Sequence, residues 1–149
     1  MDDIEAIKQL KARYCRLLDT KDWAGYRQLF TDDVTMDTTD SGGGVVTGVD
    51  DFLAFLVDVL GDTVTVHQCH TPEIAVTSPT EATGIWAMED LVRFADGTEL
   101  RGYGHYHETY RRDDSDSDGE GGGWRIASST LTRLRMDITP AVPGRTATP

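Results

Sequence analysis

The sequence predicts an α+β fold, with helices laid over one face of a bent, mostly antiparallel sheet and a mixed polar and apolar pocket between the layers. Three observations predict it. Up to Leu60, apolar residues recur at steps of three and four, the mark of amphipathic helices. From Thr63 the period changes to alternation between turn residues, the mark of strands. A meander of long strands cannot bury both faces alone, so the helices must cover one of them.

The first helix is carried by Ile4, Ile7, Leu10, Tyr14, Leu17 and Leu18 and runs to Leu18 or Asp19, with Asp2 or Asp3 as its cap. A second spans Trp23 to Phe30, with Trp23, Tyr26, Leu29 and Phe30 on one face and Asp22 as cap. A short strand is expected at Val34 to Asp37. The stretch SGGGVVTG reads as a flexible loop, since glycines weaken either regular structure. The third helix, Asp50 to Leu60, buries Phe52, Phe55, Leu56 and Val59; Asp50 or Asp51 caps it and Gly61 ends it.

Four strands follow. Val64 and Val66 begin the first, and Ile74 and Val76 resume it beyond Pro72, whose missing amide marks an edge or a bulge. Ala82 to Phe94, Leu100 to Arg111 and Trp124 to Asp137 are the others. The run DDSDSDGEGGG reads as a solvated hairpin tip. The tail TPAVPGRTATP, residues 139–149, has no periodicity and is expected to be disordered, which leaves 1–138 as one domain.

A length of 149 residues suits a single domain with its own core. The 26 acids against 14 Lys and Arg give a net charge of -12, which disfavours a nucleic-acid partner. The nearest basic patch is Arg133 with Arg135. Two cysteines, Cys15 and Cys69, do not make a disulfide framework, and both are expected reduced and partly buried. MDDIEAIKQL is the wrong start for a secretory signal. No apolar stretch is long enough to span a membrane, so a cytoplasmic location and no membrane partner are expected.

Chemistry centres on the four histidines. HQCH and HYH are dense in metal-ligand types, but no Cys-x-x-Cys or HExxH spacing accompanies them, and no metal or cofactor is expected. Acid–base work needs a group titrating near neutral pH and a partner that fixes it. His67 is the natural base, with Asp19 and Asp90 as its natural orienters. Trp86, Met88, Asp90 and Val92 share one face of their strand, and Ala87, Glu89 and Leu91 the other. Either Asp90 or Glu89 faces solvent if the strand is half exposed. Tyr14 lies on the inward helix stripe, where its hydroxyl needs a partner. Arg133 pairs with Asp90, binds an anion, or sits on the surface.

The stretches IEAIKQLKARYCRLLD, VHQCHTPEI, TGIWAMED, GHYHETY and WRIASSTLTRLR resemble the SnoaL-like branch of the nuclear-transport-factor-2-like superfamily, over about residues 3–137. Within it the chain looks most similar to the bacterial bile-acid dehydratases, and more distantly to scytalone dehydratase and ketosteroid isomerase. The resemblance implies a cone-shaped α+β barrel, three N-terminal helices against a strongly curved, mostly antiparallel sheet. It implies catalytic roles for Tyr14, Asp19, His67, Asp90 and Arg133. The histidine-rich GHYHETY and the acidic insertion depart from the bile-acid enzymes.

The expected activity is that of a cofactor-free lyase. It would dehydrate a hydroxylated cyclic ketone, an oxo-steroid or a polyketide-like compound, through His, Asp and Tyr acid–base chemistry. His70, Trp86, Met88, His105 and His107 are the expected substrate contacts. An isomerase or cyclase would use nearly the same parts, and a non-catalytic binding or assembly module is the alternative of another class. A homo-oligomer is expected through the Tyr103, His105 and His107 face, and the resemblance to the dehydratases implies a trimer before a dimer.

Overall fold

The computed structural model describes residues 1–113 and 120–143. Helix α1 (Asp3–Asp19) begins where the Asp2 carboxylate accepts from the Glu5 amide at 2.8 Å. It buries Ala6, Ile7, Leu10, Lys11, Tyr14, Leu17 and Leu18 as one stripe. Helix α2 (Trp23–Arg27) is shorter than its apolar pattern predicts. The Ile126 amide donates to the Leu29 carbonyl at 2.8 Å, so the chain has already turned into the sheet, and Phe30 opens strand β1 (Phe30–Asp37).

Strand β2 (Val45–Thr47) lies inside the stretch expected to be a loop. Its two valines and threonine favour extended backbone, and they pair antiparallel with Thr35, Met36 and Asp37. Helix α3 (Val49–Leu60) follows. Strands β3 (Val64–Val76), β4 (Glu81–Arg93), β5 (Glu99–Arg111) and β6 (Arg125–Thr139) complete the sheet. The interruption expected at Pro72 is present: the β3–β4 register shifts between His70 and Glu73, and Thr71 adopts φ 47°. Most of the acidic run, residues 114–119, lies outside the described residues, as does the end of the tail from residue 144.

The sheet corrects the barrel expectation. Its order is β2-β1-β6-β5-β4-β3, which leaves β2 and β3 as unpaired edges. Closure requires the edge strands to hydrogen-bond to one another. A three-residue β2 beside a glycine-rich segment cannot reach β3, and β3 is packed instead against α1. The sheet is mixed, with β1 parallel to β6. It is not strongly curved either; β4 and β5 pair without a register shift from Glu81–Arg111 to Arg93–Glu99. Nor are all three helices N-terminal to the sheet, since α3 follows β1 and β2. The helices, rather than a closed ring of strands, therefore cover the pocket.

Between α1 and the sheet, Tyr14, Tyr26, Phe30 and Phe52 pack ring against ring, with Tyr26 and Phe30 centroids 4.9 Å apart. The same layer contains a charge pair. Lys11 on α1 meets Glu108 on β5, both side chains fully buried. The Lys11 ammonium also lies 3.7 Å and 3.8 Å from the Tyr14 and Tyr106 ring centroids, over both π faces.

Candidate active site

A cavity of about 230 Å³ lies between α3, the end of α1 and the inner face of the sheet. One wall is apolar, with Phe52, Phe55, Leu56 and Leu60 from α3. The facing wall carries His67, Asp90 and Arg133 from β3, β4 and β6. Strand alternation puts them there: Thr65, His67 and Cys69 share the inner face of β3, and Met88, Asp90 and Val92 that of β4. His67 and Asp90 stand opposite each other in the β3–β4 register.

Asp19 is the last residue of α1. A carboxylate is disfavoured by the dipole at a helix C-terminus, so its position there needs local donors, and three are present. The His67 backbone amide donates to it at 2.8 Å, the Thr65 hydroxyl at 2.9 Å, and His67 Nδ1 lies 2.7 Å from Oδ1. Lys21, held in left-handed backbone at φ 60°, donates to the Thr65 hydroxyl at 2.8 Å and closes the chain of bonds. An ionised carboxylate only accepts, so Nδ1 carries a proton, and in the neutral ring it is Nε2 that keeps its lone pair. Nε2 has no hydrogen-bond partner among the described residues. Asp19 itself does not line the cavity; it orients the ring from behind.

Asp90 makes no hydrogen bond to His67. Both its oxygens accept from Arg133, at 2.8 Å and 2.9 Å, in a bidentate pair whose side chains are almost wholly buried. Arg133 Nε donates to the Ser41 hydroxyl at 2.8 Å, and its backbone amide to Asp40 at 3.2 Å, which ties the segment before β2 to the cavity rim. Tyr14 lines the cavity from α1. Burial, then the neighbouring Tyr106, push its phenol well above the ordinary value, so it is a donor at neutral pH.

The other expected contacts are placed elsewhere. His105 and His107 project from the outer face of β5, where His107 Nε2 is 3.2 Å from the Thr132 hydroxyl. His70 is exposed on β3, at the register shift, and does not line the cavity. Trp86 and Met88 face inward but are core; the Trp86 indole donates to the Tyr110 hydroxyl at 2.9 Å, and the Met88 sulfur is 3.5 Å from Arg133 Nη1. Among the described residues no group of three or more His, Cys, Asp and Glu could hold a metal ion, and no helix is long and apolar enough to cross a membrane.

Residues 1–130 match the family model of the SnoaL-like domain. The chain belongs to the SnoaL-like family. A relative from Gibberella zeae, described as the probable cyclase FGR4, is 26% identical over 140 residues, which cover 86% of this chain and 89% of that protein. Among solved structures, a scytalone dehydratase candidate from Novosphingobium aromaticivorans superposes with a TM-score of 0.76 at 22% identity, covering 98% of this chain and 91% of its own. The hexachlorocyclohexane dehydrochlorinase LinA-type3 of Novosphingobium barchaimii gives a TM-score of 0.74 at 17% identity, with 97% and 93% covered. At such identities the likeness speaks for the fold.

Sequence reasoning missed the residues that make room for the site. Gly102 stands opposite Asp90 in β5, and a methyl group there would overlap both Arg133 Nη1 and Asp90 Oδ1. A methyl at Gly104 would overlap the Thr132 carbonyl. Two glycines at alternate positions of a strand were the available signal, since strand glycine often marks a close approach. Gly102→Ala is expected to force Asp90 and Arg133 apart, costing about 1–3 kcal/mol in stability and lowering turnover further than that loss explains. Urea unfolding and activity at matched folded fraction check both parts; unchanged turnover would show the ion pair to be dispensable.

Proposed function

We propose that this SnoaL-like protein is a cofactor-free lyase that dehydrates a hydroxylated cyclic ketone. The observation that carries the reading is the His67 ring, fixed through Nδ1 by Asp19, with Nε2 unpartnered at a cavity whose other walls are apolar and tyrosine-lined. Nε2 removes a proton made acidic by the carbonyl. Tyr14 donates to the oxygen that gains charge. The protonated imidazole, stabilised by Asp19, then returns its proton to the departing hydroxyl. The Asp90–Arg133 pair supplies a fixed dipole on the same wall and keeps Ser41 over the rim.

The resemblance to bile-acid dehydratases supports the same set of residues. A cavity of about 230 Å³ is below the roughly 300–1,000 Å³ of typical ligand sites, which favours a compact polyketide-like hydroxy-ketone over a four-ring oxo-steroid. Assembly through the outer face of β5 belongs to the same proposal, Tyr103 and His107 being exposed there. Light scattering is expected to give a mass above the 16.4 kDa of one chain, a trimer before a dimer; a monomer at micromolar concentration would contradict it.

Dehydration is distinguished from its neighbours by product mass. Incubation with a panel of mono- and bicyclic β-hydroxy-ketones is expected to give an enone lighter by one water, seen by mass spectrometry and by new conjugated absorbance. A product of unchanged mass would make the protein an isomerase or a cyclase, the latter being the activity ascribed to the Gibberella relative. No product from any panel member, with those ketones bound, would make it a binding module.

A further inference from the structure

The two cysteines, 54 residues apart in sequence, meet in the fold. Cys15 Sγ and Cys69 Sγ are 3.6 Å apart, and both residues are free and partly exposed. They line an open groove on the α1–β3 side, together with Lys8, Lys11, His70 and Trp86. Cys15 lies one helical turn before Asp19, on the same face of α1, and Cys69 lies two residues after His67, on the same face of β3. The thiols therefore stand directly beside the Asp19–His67 pair and bridge the same two elements.

We propose that Cys15 and Cys69 are a dithiol site for two-electron oxidation by low-molecular-weight disulfides, closing a reversible bond that clamps α1 onto β3 beside the catalytic pair. A disulfide needs the sulfurs at about 2.05 Å, so side-chain rotation and a small approach of two elements already in contact suffice. Cys15 is the attacking thiol. Contact with the Cys69 sulfur and the nearby Lys11 ammonium draw its pKa down, whereas the same contact and burial push Cys69 up. The Cys15 thiolate attacks one sulfur of the oxidant, whose other half leaves as a thiolate. Cys69 gives its proton to solvent and attacks the Cys15 sulfur, releasing the second half. The two cysteines are oxidised, the small disulfide is reduced to two thiols, and the chemistry does not depend on the catalytic reading.

The test is incubation of the native protein with excess oxidised glutathione at neutral pH, followed by intact-mass and thiol analysis. The expected result is loss of two hydrogen masses and of both free thiols, one non-reducing peptide pair joining Cys15 to Cys69, and full reversal by a reductant. The melting temperature should rise by about 10 °C. Cys69→Ser should stop at a stable glutathione adduct on Cys15. Persistence of both free thiols, a stable adduct on the wild type, or a bond between chains would overturn the proposal; so would an unchanged melting temperature for the closed form.

Discussion

His67→Ala is expected to lower turnover of a hydroxy-ketone substrate by about 10²–10⁴, the usual contribution of a placed proton-transfer group, and to leave the fold intact. The fold survives because Asp19 keeps two of its three donors. The backbone amide at position 67 persists in alanine, and the Thr65 hydroxyl is untouched. What is lost is the only histidine side chain among the described residues that lines the cavity. His70→Ala is expected to have little effect, since His70 is exposed and does not line the cavity. Asp90→Asn should fall between them, because Asp90 holds Arg133 rather than the imidazole. Turnover is measured at matched folded fraction by circular dichroism. Near-normal turnover in His67→Ala would remove the proposed base.

Lys11→Met is expected to destabilise the protein by about 3–5 kcal/mol, the penalty for stranding one member of a buried ion pair. Glu108 would then be left charged in the core, and its Oε2 already has no hydrogen-bond partner among the described residues. Against a total of about 5–15 kcal/mol for a domain, that is a severe loss. The ammonium also lies over the rings of Tyr14 and Tyr106, two tyrosines that line the cavity, so its removal loosens the site as well as the core. Replacing both partners, Lys11→Met with Glu108→Leu, should recover most of the stability, since well-packed apolar groups often match a buried pair. Urea midpoints of the single and double variants check this. A single variant within about 1 kcal/mol of wild type would show that Glu108 finds another partner or a proton.

Much of this was legible in the sequence, because the signals were local. The i, i+3, i+4 stripe from Ile4 to Leu18 defined α1, and the residues after it placed Asp19 at its end. Alternation placed Asp90 with Met88 and Val92 on one face of β4, and that face is the buried one. What failed were inferences that needed long-range pairing. The faces of β5 cannot be ranked by hydropathy, because Gly102, Gly104, Tyr106 and Glu108 alternate with Tyr103, His105 and His107. Burial of Glu108 depends on Lys11, 97 residues away, and it puts the two histidines outside. The barrel failed for the same kind of reason: strand periodicity is alike in open and closed sheets, and edge pairing alone separates them. The meeting of Cys15 and Cys69 likewise depends on how α1 lies across β3.

The central claim is that Asp19 holds His67 with Nδ1 protonated and Nε2 free toward the cavity. Nitrogen-15 NMR of the histidine-labelled protein, with His67 assigned by difference from His67→Ala, tests it most directly. The account predicts that, above the pH at which the ring loses its second proton, Nδ1 shows the shift of a protonated nitrogen and Nε2 that of a bare one. Asp19→Asn should abolish that preference, and a cyclic ketone should perturb Nε2 first. A protonated Nε2 with a bare Nδ1, unchanged in Asp19→Asn, would contradict it.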